Sequence, residues 1–379
     1  MSCHPLPSLA LVAALAPLGL SQAASSRPPT TASVQVSEVV GGLQHPWALA
    51  FLPDGSALIT ERPGTLRLLR DGKLSPPISG VPEVYAQGQG GLLDVALSPG
   101  FAQDRLVYLA YAQSGEGKSG TAVGRAQLSP DGTALTGFRE IFRQLPKLST
   151  GNHYGSRLAF DKTGHLFIAL GENNQRPTAQ DLDKLQGKIV RLRPDGGVPQ
   201  DNPFTAQKQA RPEIWSYGHR NPQGLAVNPW SGALWEHEHG PRGGDEINIV
   251  KRGANYGWPL ATHGINYSGL KIPEAKGADL PSGEPARYWW AKSPAISGMA
   301  FYDAPTYPQW KHSLFIGALA DESLIRLTLD GDDIVAEERL LKDLGARIRD
   351  VRVGPDGAVY VLTDAREGAL LRVTPAAPK

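Results

Sequence analysis

The chain has 379 residues and a single cysteine, Cys3, which lies inside an apolar N-terminal stretch. Without that stretch the chain has no thiol, which excludes disulfides, thiolate metal sites and cysteine nucleophiles. Charge of one sign is scarce too: 38 Lys and Arg face 37 Asp and Glu, a formal net charge of +1. That balance gives no footprint for nucleic acid or an acidic membrane surface. Beyond the N-terminus no apolar run is long enough to cross a bilayer, so no membrane insertion is expected. Gly88-Gln-Gly-Gly91 lacks the strand–loop–helix setting of a dinucleotide fingerprint, which excludes a nicotinamide site, and no phosphate loop is present. His237 and His239 alternate on one strand, but a zinc reading lacks a third protein ligand and a metalloprotease helix motif.

Residues 1–24 read as a secretory signal. Leu9–Leu20 is too short to span a bilayer, and Ser21-Gln-Ala23 offers small residues for cleavage, although no Lys or Arg precedes the apolar stretch. Residues 25–35 read as a polar linker and 36–379 as one domain, in a periplasmic or secreted protein.

Turn formers are abundant, with 43 Gly and 32 Pro. They punctuate a pattern that returns six times: a short apolar strand, a turn rich in Pro, Asp and Gly, and a second apolar strand. The first strands end at Phe51, Leu97, Phe160, Val227, Phe301 and Val353. A unit that cannot bury its own faces and recurs at this spacing predicts an all-β fold, a six-bladed β-propeller with an axial active site. The wider gaps near 171–215 and 256–295 are expected to be loops inserted on one face. Two packed sandwiches are the competing architecture, but they leave the sixfold recurrence unexplained.

Polar residues sit just ahead of the first strand of each repeat: His45, Gln89, His153, Arg220 with Asn221, the Ser293–Ser297 stretch, and Arg347 with Arg349. Equivalent positions in a propeller converge on the axis, so these side chains are expected at one mouth. His153 is the candidate general base, kept neutral by a nearby cation such as Arg220. The arginines suit a strongly anionic ligand. In Glu238–Asn248, Gly and Pro leave carbonyls free while Asp245 and Glu246 add hard oxygens, which is calcium chemistry. The Gly171–Gln175 run reads as loop structure.

The segments Gly88-Gln-Gly-Gly-Leu-Leu93, Gly151-Asn-His-Tyr-Gly-Ser-Arg157, Gly218-His-Arg-Asn-Pro-Gln-Gly224, His239-Gly-Pro-Arg-Gly-Gly-Asp-Glu-Ile-Asn248, Asn255-Tyr-Gly-Trp-Pro259 and Arg347-Ile-Arg-Asp350 together resemble the PQQ-dependent soluble aldose sugar dehydrogenases, relatives of soluble quinoprotein glucose dehydrogenase. The resemblance covers roughly residues 36–376. It implies PQQ in the axial mouth and His153 as the base for the sugar C1 hydroxyl, with hydride transfer to PQQ and a lactone product. It assigns Arg220 to the charge developing on the PQQ oxygen, and Gln89, His153, Arg220, Asn221, Arg347 and Arg349 to the cofactor. Calcium would bind through the carbonyls of Gly240 and Pro241, with Glu246 and Tyr256 at a further calcium position. An external electron acceptor is implied, and the protein is expected to be a monomer or homodimer. Two departures stand out: Ala320 where many relatives carry lysine, and Asn152 where the glucose-enzyme branch has Asp. A calcium-dependent propeller lactonase and a non-catalytic carbohydrate-binding propeller are the alternative functions.

Overall fold

The computed structural model describes Met1 and residues 33–376. The expected signal and most of the expected linker fall outside the described residues. The described chain forms six four-stranded antiparallel sheets, five of them simple meanders and the sixth completed by a strand from the N-terminal end. Their innermost strands are Pro46–Phe51, Leu92–Leu97, Gly155–Phe160, Pro222–Val227, Ile296–Tyr302 and Ile348–Val353. These strands touch one another in cyclic order, and the last meets the first. The fold is therefore a six-bladed β-propeller, with blades numbered here in chain order.

Ring closure uses both ends of the chain. Val34–Leu43 forms the outer edge of the sixth blade and pairs with Gly368–Pro375. This strand starts two residues before the domain start expected at 36, because Val34 and Gln35 pair with Pro375 and Thr374.

The turn between the two apolar strands of each repeat is built locally. In the third blade, Asp161 Oδ1 accepts the amides of Thr163 and His165, each at 2.9 Å. Gly164 takes φ +83°, a conformation that costs a side-chain-bearing residue. Leu166–Leu170 then returns fully buried.

The core lies between blades rather than in one centre. Leu58, Leu66 and Leu68 of the first blade pack with Val95 and Leu109 of the second. Trp235 and Ile247 of the fourth meet Met299, Leu314 and Ile316 of the fifth. Each such aliphatic side chain contributes about 1.5–3 kcal/mol on burial.

Two features prepare the mouth, where the innermost strands begin. Every innermost strand shifts register near its start, for example between Pro46 and Ala48 or between Ile348 and Asp350. Such bulges re-aim side chains and bend the strand. Beneath them, Arg157 bonds Asp350 at 2.9 Å and Asp94 at 3.4 Å, and stacks over Trp47 at 4.0 Å. Asp350 also accepts the amide of Leu49, and Asp94 that of Leu158. This buried network joins four blades into a floor. Removing one charge of such a network costs about 3–5 kcal/mol.

Candidate active site

The mouth holds a cavity of about 460 Å³ to which all six blades contribute. Of the residues anticipated there, His45, Gln89, Asn221, Arg347 and Arg349 line it, as does Ala295 from the Ser293–Ser297 stretch. His153 is buried at its edge, and the Gln89 side chain accepts the His153 amide at 2.8 Å. Arg220 lies deeper, lining a second, small space.

His153 Nδ1 is 2.9 Å from Glu172 Oε1. In the neutral ring Nδ1–H donates to that carboxylate, which leaves the Nε2 lone pair free for a proton. The Gly171–Gln175 run does form a loop, yet it supplies this partner, which sequence reasoning missed. The fold forces the approach: a Cβ at Gly171 would sit 1.9 Å from the His153 carbonyl oxygen. The Glu172 amide also donates to the Arg220 carbonyl at 2.9 Å, tying the His153–Glu172 pair to the next blade. Burial lowers the His153 pKa below its ordinary value. The Glu172 hydrogen bond opposes this, and the Arg220 charge adds to it. Burial thus does more than the cation that the sequence suggested.

Arg220 donates to the carbonyls of His239 at 3.0 Å and Gly240 at 2.7 Å, and its guanidinium lies over Trp258. Asn221 accepts the amide of Gly155. Arg347 and Arg349 share one carboxylate, Asp364, at 3.0 Å each. Arg349 is half-buried, but its Nε is buried and has no partner among the described residues. A cavity with guanidiniums in excess and an orphaned buried donor suits a planar, anionic ligand.

Behind Arg220 is an acidic cluster that the sequence reading only partly located. His219 Nδ1 lies 3.0 Å from Glu238 and 3.5 Å from Glu236. Glu246 pairs in register with Glu238 on the neighbouring strand. Burial works against a charged His219, yet the two carboxylates hold its pKa up at about 9. Burial and the Glu238 charge push Glu236 up to about 7 and Glu246 well above the carboxylate range. Glu236 Oε2 has no partner among the described residues. A space of about 10 Å³, lined by Glu238, Gly240, Glu246, Tyr256 and Trp258, is the size of one water or small ion. Once all three are ionised, three carboxylates against one imidazolium leave two negative charges, which a hard divalent cation would neutralise.

Asp245 does not face this space: it accepts Gly240 N at 3.1 Å and Ser293 Oγ at 2.8 Å, so it braces the loop. The Tyr256 hydroxyl is used by Ile249 O and Lys251 N, which leaves its backbone carbonyl as the available ligand atom. His237 and His239 do not form a metal group; among the described residues that cluster is His219, Glu236 and Glu238. Neither His–Glu partnership was visible in sequence, because the partners lie about 20 residues apart on different strands and loops.

No helix among the described residues is long and apolar enough to cross a membrane. A family model described as Glucose / Sorbosone dehydrogenase matches residues 43–372. The chain is 60% identical over 364 residues to an aldose sugar dehydrogenase, YliI, of Escherichia coli, covering 95% of this chain and 98% of that one. The crystal structure of the soluble aldose sugar dehydrogenase from Escherichia coli in its apo form superposes with a TM-score of 0.90 at 61% identity, covering 91% of this chain and all of the other. A PQQ-bound aldose sugar dehydrogenase from Streptomyces coelicolor superposes with a TM-score of 0.75 at 30% identity, covering 92% of this chain and all of the other. With its propeller, its arginine-lined mouth and this extent of likeness, the chain belongs to the glucose/sorbosone dehydrogenase family, among its aldose sugar dehydrogenases.

Proposed function

We propose that this protein is an exported, PQQ- and calcium-dependent dehydrogenase that oxidises the C1 hydroxyl of aldoses to lactones and passes the electrons to an external acceptor. The observation that carries this reading is the buried His153–Glu172 pair beside Arg220 at the edge of a cavity rich in arginine. When bound, the quinone supplies the oxidant that takes the C1 hydride, and calcium polarises its carbonyl.

The chain's own residues do the rest. His153 takes the proton of the C1 hydroxyl on Nε2, and Glu172 holds the ring in that tautomer and stabilises the imidazolium that results. Arg220 places a fixed positive charge where negative charge develops. It is already oriented by two backbone carbonyls, so it needs little reorganisation. Arg347 and Arg349 hold carboxylates of the cofactor, and Gln89 and Asn221 complete its polar contacts. The carbonyls of Gly240 and Pro241 would hold one calcium, and Glu246 with the Tyr256 carbonyl a further one.

His153→Gln is the direct test. The ring is lost while the cationic wall stays, so turnover should fall by at least about 10²-fold while PQQ still binds in a fluorescence titration. Near-normal turnover of glucose by this variant would reject His153 as the base.

A further inference from the structure

Two further arginines reach the mouth. Arg62 lies in the turn between Ala57–Glu61 and Thr65–Arg70 of the first blade, and Arg366 in the turn between Val359–Thr363 and Gly368–Pro375 of the sixth. Both line the central cavity with Arg347 and Arg349. Arg62 donates one hydrogen bond, to the Gly88 carbonyl at 2.9 Å. Arg366 is exposed and has no hydrogen-bond or ion-pair partner among the described residues. It also borders a second cavity of about 340 Å³, shared with Gln44, His45, Pro63 and Glu367.

The charge count around the central cavity gives these residues meaning. Arg347 and Arg349 share Asp364, so that trio carries one net positive charge. Adding Arg62 and Arg366 raises it to three. The fifth blade contributes only Ala295 and Leu319 to the lining, with the exposed Ala320 next in the chain, so it adds no charge. A ligand with three carboxylates is matched only when the first and sixth blades both contribute.

We propose that Arg366, seconded by Arg62, is a cofactor-binding residue that grips a carboxylate of the quinone and provides the positive charge that the fifth blade lacks. The inference rests on the PQQ reading above. Because Arg366 is exposed, its contribution is sensitive to salt.

The test is a titration of calcium-loaded protein with PQQ, read by quenching of tryptophan fluorescence, without sugar or acceptor. Arg366→Gln should weaken binding by about tenfold and flatten its dependence on ionic strength. Arg366→Lys should retain most of the affinity. Ala320→Lys in the Arg366→Gln background should recover affinity by returning a cation from the fifth blade. Arg366→Gln with unchanged affinity and an unchanged salt slope would overturn the proposal while leaving the PQQ reading intact. A wild-type protein that binds no PQQ would overturn both. Unchanged PQQ affinity with an altered KM for acidic sugars alone would reassign Arg366 to the substrate and overturn its cofactor role.

Discussion

At the scale of single residues, the site depends on a histidine whose two neighbours pull in opposite directions. Glu172 raises the His153 pKa, and Arg220 lowers it, within a burial that already favours the neutral ring. Since the net shift is downward, His153 stays unprotonated and competent at neutral pH, and activity should fall only as pH drops below the ordinary histidine range. Glu172→Gln removes the influence that raises the pKa, so the acid limb of kcat/KM should move to lower pH. It also weakens the hold on the tautomer, so kcat should fall by about 10–100-fold. A pH–rate profile with dye reduction checks both effects. A limb that stays in place or moves to higher pH would show that Glu172 does not act through His153.

His153, Arg220 and Arg347 were legible in the sequence because each stands just before a repeat's first strand, and Arg349 because it lies at the start of one, positions that the ring brings to the axis. Glu172 was not, since nothing in Gly171–Gln175 distinguishes a partner of His153 from a polar turn. Arg62 and Arg366 were missed for a related reason. They sit after the second strand of their repeats, and the same mouth is reached from both ends of that hairpin.

At the scale of elements, Leu234–Glu238 and Asp245–Val250 place three carboxylates side by side, and the loop between them carries the carbonyls of Gly240 and Pro241. Such crowding is costly without a cation. Glu236, held near 7 in the folded protein against 4.5 ordinarily, binds protons more tightly when folded. Its contribution therefore lowers the stability of the metal-free protein as pH rises from about 4.5 to about 7. Calcium should raise Tm most above that range, and a chelator should reverse the gain. Glu246→Gln replaces a carboxyl that burial and its acidic neighbours keep from ionising in the metal-free protein, so the metal-free variant should be at least as stable as the wild type and gain less from calcium. Differential scanning calorimetry with and without calcium tests this. An undiminished calcium gain in Glu246→Gln would exclude Glu246 as a ligand. The sequence pointed to this loop, but the alternation of side chains along the strand turned Asp245 inward as a brace.

At the scale of the molecule, the ring is closed by backbone pairing between the two ends of the described chain. Val34–Leu43 pairs with Gly368–Pro375, and Leu43 packs against Leu362 and Leu370. Deleting residues 33–43 would leave an unpaired edge strand and an opened hydrophobic seam. We expect Tm to fall by more than about 10 °C or the protein to aggregate, as followed by calorimetry and size-exclusion chromatography. A Tm within about 2 °C of the full chain would contradict this account of closure. The sixfold architecture itself was readable, since a sequence that repeats one strand–turn–strand unit six times must stack its blades to bury them. The use of the N-terminal strand to finish the last blade was not. Val34–Leu43 is largely exposed, alternates weakly, and lacks the repeat's signature.

One experiment asks directly whether this mouth oxidises sugars through a bound quinone. The protein without its N-terminal 24 residues is loaded with PQQ and calcium, then mixed with a panel of aldoses and an artificial dye acceptor, while product is identified by mass. The expected result is dye reduction that requires quinone, calcium and sugar together, with a lactone two mass units lighter than the sugar. Folded protein that binds PQQ but reduces no dye with any aldose, or that opens lactones without quinone, would contradict it.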